Sequence, residues 1–137
     1  MLELSTGIIE ADIIMARQAL NVYKSNTRLK DVKNMCAYHL QQAVEKLIKI
    51  QIYKSGVDYD NKSMYSHNIR ALLVYAERKN INIIIPGFIK ENASVITKWE
   101  AGSRYDLHFS IRSDTLEKYL KEIEAWYQQI IRRLGKK

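Results

Sequence analysis

Apolar residues recur along this chain at steps of three and four, and nowhere do they alternate over a run long enough for a strand. In the first segment Ile8, Asp12, Met15, Ala16, Ala19, Leu20 and Tyr23 fall on one stripe, predicting a helix from Ser5 or Thr6 to about Tyr23. Ser5 and Thr6 suit its N-cap, and Ser25-Asn26-Thr27 reads as a short turn. A second helix is predicted from Asp31 to Lys54, with Val32, Cys36, Leu40, Ala43, Val44, Leu47 and Ile50 on one face. Met35, Ile48 and Ile52 widen that face, so this helix belongs in the middle of the molecule, touching several neighbours. Gly56 ends it, and residues 58–62 read as a loop.

Ile69, Leu72, Leu73 and Ala76 predict a third helix over about Ser66 to Lys79, capped by Ser66. Residues 80–85 suit an extended connection whose isoleucines are buried by tertiary contact. Pro86 opens a fourth helix, continued by Phe88 or Ile89, Ala93, Ile96 and Trp99 to about Glu100, with Gly102 as its stop. After a connector over 102–113, a fifth helix carries Leu116, Tyr119, Leu120, Ile123, Tyr127, Ile130, Ile131 and Leu134. Asp114 and Glu117 have capping-box spacing. The pattern predicts an all-α protein: an antiparallel up-and-down bundle of four main helices plus one shorter helix, one domain over 1–137.

Composition adds three points. The single cysteine, Cys36, excludes an internal disulfide and reads as a buried thiol. The first residues lack a basic stretch followed by an apolar one, and no apolar run is long enough for a membrane span, so a cytoplasmic protein is expected. The net charge is +7, and residues 17–54 alone carry eight basic residues against Asp31 and Glu45. Such a stretch attracts phosphates or an acidic partner, or else forms a solvated lysine-rich face.

Candidate chemistry is concentrated in a few places. On a helix, His39, Gln42 and Lys46 lie within about one sixth of a turn of each other, an imidazole, an amide and an ammonium in line. That strip suits either phosphate binding or a hydrogen-bonding seam against a neighbouring helix. Arg104 and His108 combine a phosphate-holding guanidinium with a proton-moving imidazole, the minimal set for metal-free RNA cleavage by the 2′-hydroxyl. Alternatively Arg104 pairs with Glu100 or Asp106, and Tyr105 packs the bundle end. His67 stands at the start of the third helix, where capping or packing is its ordinary role. His39, His67 and His108 share no metal-ligand spacing, so no metal and no cofactor is expected. Trp99, Trp126 and most of the tyrosines have core spacing, which does not indicate a base-stacking platform.

The run Ala37-Tyr38-His39-Leu40-Gln41-Gln42-Ala43-Val44-Glu45-Lys46 resembles the second-helix signature of the HEPN domain, named for higher eukaryotes and prokaryotes nucleotide-binding. His67-Asn68-Ile69 with Leu72-Leu73 resembles that family's third-helix start, and Arg104-Tyr105 its Arg-Tyr-Pro step. The resemblance implies a helical bundle, often a homodimer, often paired with a minimal nucleotidyltransferase in toxin–antitoxin systems. It implies a site at His39, Gln42, Lys46, His67 and Tyr105 for nucleotide or RNA. Many members are metal-independent ribonucleases with four to six residues between the active arginine and histidine. Here only three residues separate Arg104 from His108, and Asp106 stands in place of the proline. These departures bring the chain closer to non-catalytic, nucleotide-binding members; a ribonuclease using Arg104 and His108, or a purely structural dimerisation domain, are the alternatives.

Overall fold

The computed structural model describes residues 5–135, and every regular element among them is a helix. The elements are α1 (Thr6–Ser25), α2 (Lys30–Lys54), α3 (Asn61–Met64), α4 (Ile69–Arg78), α5 (Gly87–Glu91), α6 (Ala93–Thr97), α7 (Trp99–Tyr105) and α8 (Ser113–Gly135). The long helices α1, α2 and α8 match the strongest periodicities. α2 packs on α1, α4, α7 and α8, the central place its wide apolar surface requires.

The α1 cap is as expected: the Ser5 hydroxyl accepts from the Ile8 N–H at 3.3 Å. The buried stripe of α1 keeps Asp12, Ala16 and Leu20 of the expected set, with Ile9 and Ile13 in place of Ile8 and Met15. Ile8 and Met15 face outward. Consecutive pairs such as Ile8-Ile9 and Ile13-Ile14 allow either phasing, and contact with α2 and α8 selects one. α2 ends at Lys54, with Gly56 in the left-handed region at φ 79°.

The middle of the chain departs most from expectation. α3 forms inside the stretch read as a loop, nucleated by Asp60, whose carboxylate accepts from the Ser63 N–H at 2.6 Å and is held below its ordinary pKa by that bond. α4 starts three residues later than expected, capped by Asn68 rather than Ser66. The predicted fourth helix is three short ones. Asn92 leaves helical geometry with its amide donating to the Phe88 carbonyl at 2.8 Å. The Thr97 hydroxyl takes up the Ala93 carbonyl at 2.9 Å and caps the Ile69 N–H of α4 at 3.0 Å. Side chains that bond the backbone locally compete with the helical ladder, which is why this stretch breaks. Pro86 stands just before α5 as its N-cap.

Gly102 does not stop a helix; it lies inside α7. A Cβ there would meet Phe109 Cδ1 at 2.6 Å, so its smallness serves the close approach of the Phe109 ring. Nor does the capping box form. Asp114 accepts from the Thr115 N–H at 2.8 Å, while the Glu117 carboxylate is drawn to Lys24 and Arg17 on α1, at 2.6 and 2.8 Å. The Lys24 bond, with that from Arg17, holds the Glu117 carboxyl below its ordinary pKa.

Residues 81–86 form no regular element, and Ile81, Ile83, Ile84 and Ile85 pack against the core, as expected. The amide of Gln51 bonds both backbone groups of Ile84, and Trp126 Nε1 donates to the same Ile84 carbonyl at 2.8 Å. The core is a single cluster, and Cys36 is fully buried in it. Burial pushes that thiol up to about 12, leaving it protonated and inert at neutral pH. No described helix is long and apolar enough to cross a membrane.

Candidate functional site

Two buried carboxylates organise the polar side chains of α2. Asp12 on α1 takes His39 Nδ1 on one oxygen at 2.9 Å and the Lys46 ammonium on the other at 2.6 Å. Gln42 is not part of that clamp: its amide donates to Gln41 Oε1 at 2.6 Å. Of the strip read from the sequence, His39 and Lys46 therefore converge on a shared acid, and Gln42 turns aside. On the other side of α2, Glu45 accepts from Gln41 at 2.9 Å and Lys49 at 2.6 Å, and lies 3.1 Å from His67 Nδ1. His67 thus covers a buried ion pair from outside rather than facing the Asp12 clamp.

His39 Nε2 has no hydrogen-bond partner among the described residues. No side-chain nitrogen or oxygen in the described interior is both buried and unpartnered, so that nitrogen reaches solvent. The Tyr38 ring meets the His39 ring edge-on, centroids 5.2 Å apart.

Arg104 occupies the last turn of α7, which extends past the predicted stop at Glu100. Its guanidinium lies 5.3 Å from the Tyr38 ring centroid and 4.9 Å from that of Tyr105, and pairs with the Glu100 carboxylate one turn earlier. Tyr105 is 74% exposed. The exposed guanidinium between two aromatic rings, which the sequence reading did not foresee, combines an anion-binding group with faces on which a base stacks. His108 lies beyond α7 on the connector, exposed, its N–H bonded to the Asp106 carboxylate at 2.9 Å. Asp106, where the resemblance leads one to expect proline, therefore shapes the turn carrying His108.

The connector is fastened from beneath by α2. Lys33 Nζ donates to the Ser110 hydroxyl at 3.2 Å and lies 5.1 Å from the Tyr23 ring centroid. The Asn34 amide reaches the Phe109 carbonyl at 3.5 Å. Lys33 and Ser110 were not singled out from the sequence. A signal was present, since Lys33 falls within about one sixth of a turn of Cys36, Ala37 and Leu40 on the apolar stripe. No group of three or more histidine, cysteine, aspartate or glutamate side chains among the described residues is placed to hold a metal ion.

A helical bundle with its polar residues gathered on the second helix and an exposed Arg-Tyr step before the last is the architecture reached from these contacts. The HEPN domain model matches residues 10–133, and the chain belongs to the HEPN family. No curated protein and no solved structure matches it.

The Asp12 clamp generates a stability prediction. Asp12→Ala leaves the Lys46 and His39 side chains without their shared acceptor and should cost about 1–3 kcal/mol in denaturant unfolding. The exposed pair Arg112–Asp114, removed by Asp114→Asn, should change stability by no more than about 1 kcal/mol. Equal effects would show that the clamp is no more than a surface ion pair.

Proposed function

We propose that this chain is a nucleotide- or RNA-binding module rather than a nuclease. It acts as a homodimer, and its partner is a minimal nucleotidyltransferase of the toxin–antitoxin type. The observation that carries the reading is the exposed Arg104 guanidinium flanked by Tyr38 and Tyr105. A guanidinium takes a phosphate in bidentate fashion, and the rings beside it accept a base. The excess of basic residues over 17–54 supplies a favourable long-range field for such a ligand. His39, with Nε2 open to solvent and its ring edge-on to that of Tyr38, adds a donor next to that ring when protonated.

The ribonuclease reading rests on the exposed His108 imidazole, four residues along from Arg104. Against it stands the short spacing between Arg104 and His108. Binding of fluorescent ATP and of a single-stranded RNA oligonucleotide separates the readings. Arg104→Ala should weaken both by at least about tenfold, and Arg104→Lys should not restore them, because an ammonium lacks the planar fork. In EDTA the wild type should leave the RNA intact. Cleavage that disappears in Arg104→Ala/His108→Ala would make the chain a metal-independent ribonuclease instead. Unchanged affinity in Arg104→Ala would remove this residue from the site.

The homodimer is supported by the outward face of α1. Ile8, Ala11, Ile14, Met15, Gln18 and Val22 lie within about a third of a turn, opposite the core stripe, all exposed and none charged. An uncharged face is where two copies of a chain with net charge +7 meet with least repulsion. Sedimentation should return about twice 16.0 kDa for the wild type and a single chain mass for Met15→Glu. A monomeric wild type contradicts the dimer, and a Met15→Glu dimer contradicts this face.

A further inference from the structure

Among the described residues, buried charges are answered by opposite charges, with one exception. Asp12 has Lys46 and His39, and Glu45 has Lys49 and His67. The half-buried Arg17 has Glu117 and Glu124. Lys33 is as buried as these, at 7% exposure, and no carboxylate among the described residues lies in ion-pair contact with it. Its partners are the Ser110 hydroxyl and the face of the Tyr23 ring, and neither neutralises an ammonium. One hydrogen bond also leaves two of its three N–H groups free for another acceptor.

The surroundings add to the imbalance. Lys33 lies in the opening turns of α2, a helix of 25 residues whose N-cap, Leu29, offers no side-chain acceptor. The positive end of the helix disfavours a cation and favours an anion there. Arg28 and Lys30 stand at the same end, exposed and in no ion pair among the described residues. Asp31, on the same turn, is exposed and pairs with none of them. A buried lysine beside a helix N-terminus, with two further cations close in sequence, lacks one component, a negative charge.

We propose that Lys33 and the Ser110 hydroxyl hold a phosphate group, which supplies the missing charge between the start of α2 and the α7–α8 connector. Ser110 follows His108 by two residues, and the Phe109 ring between them packs on Gly102, two residues before Arg104. The phosphate thus binds at the end of the bundle that carries the Arg104 site. The inference rests on the nucleotide-binding reading and adds to it a second phosphate contact, from a buried lysine. It also gives the connector a role: a phosphate bound by Ser110 fixes the segment that carries His108.

The test uses Lys33→Met, which keeps the length of the side chain and removes its charge. In phosphate-free, low-salt buffer the variant should melt no lower than the wild type, because an uncompensated buried charge has gone. Inorganic phosphate and ATP should each raise the melting temperature of the wild type, and at the same concentrations raise that of Lys33→Met by less. ATP affinity should fall at least tenfold. A single-stranded RNA oligonucleotide without terminal phosphates distinguishes the source: stabilisation by it as well identifies a diester, and stabilisation by ATP and phosphate alone identifies a terminal group. Ser110→Ala, at an exposed position, provides a check should Lys33→Met fail to fold, and several-fold weaker ATP binding is expected. A Lys33→Met protein that melts well below the wild type yet binds ATP equally would overturn the proposal and make Lys33 an anchor for the connector. So would Ser110→Ala with unchanged affinity. If Arg104→Ala loses binding while Lys33→Met retains it, only the Lys33 site fails. If no probe binds the wild type, the nucleotide-binding reading fails with it.

Discussion

The burial of α2 is the constraint on which the rest of this structure depends. A helix that touches α1, α4, α7 and α8 has little solvent-facing surface, yet this one carries Lys33, Asn34, Gln41, Glu45 and Lys49 at buried positions. Each such group must be hydrogen-bonded or neutralised within the protein, or it raises the free energy of the fold by an amount comparable with total stability. Asp12 is buried on α1 because His39 and Lys46 need an acceptor, and His67 lies over the start of α4 because Glu45 needs cover. These polar contacts also fix register. Apolar stripes alone leave α1 free to rotate by one residue, and a charge pair at 2.6 Å does not.

The functional end of the molecule follows from the same helix. Tyr38 and His39 are neighbours on α2, so one is placed to meet the guanidinium of α7 while the other engages the acid of α1. Lys33 and Asn34, one turn earlier, hold the connector. Gly102 lets the Phe109 ring lie close against α7, keeping that connector short and near the α7 terminus. Site and core are therefore not separable: the residues that pin the connector are the ones that shape the proposed anion-binding end.

Much of this was legible in the sequence where a signal extended over many residues. α2 and α8 repeat their apolar spacing over about five turns and α1 over about four, and the stop at Gly56 has clear local chemistry. The region from α5 to α7 was not legible, because its breaks come from single side chains, Asn92 and Thr97, turning back onto carbonyls four residues earlier. Gly102 was misread for a related reason. A glycine that ends a helix and a glycine that admits a neighbouring ring look alike until the ring is in place. The candidate site was half visible: His39, Lys46 and Arg104 could be singled out by type and spacing, and Glu100 as a partner of Arg104, but Asp12, which decides what His39 and Lys46 do, belongs to the pattern only once α1 is packed.

The central claim is that a phosphate-bearing ligand binds where the start of α2, the end of α7 and the connector meet. Backbone amide NMR during titration with ATP tests it most directly, since it reports location independently of affinity. Shifts confined to residues 28–39 and 102–112 are the result expected. Shifts confined instead to the α4 surface or the C-terminal turns of α8, with residues 28–39 and 102–112 unmoved, would contradict the account.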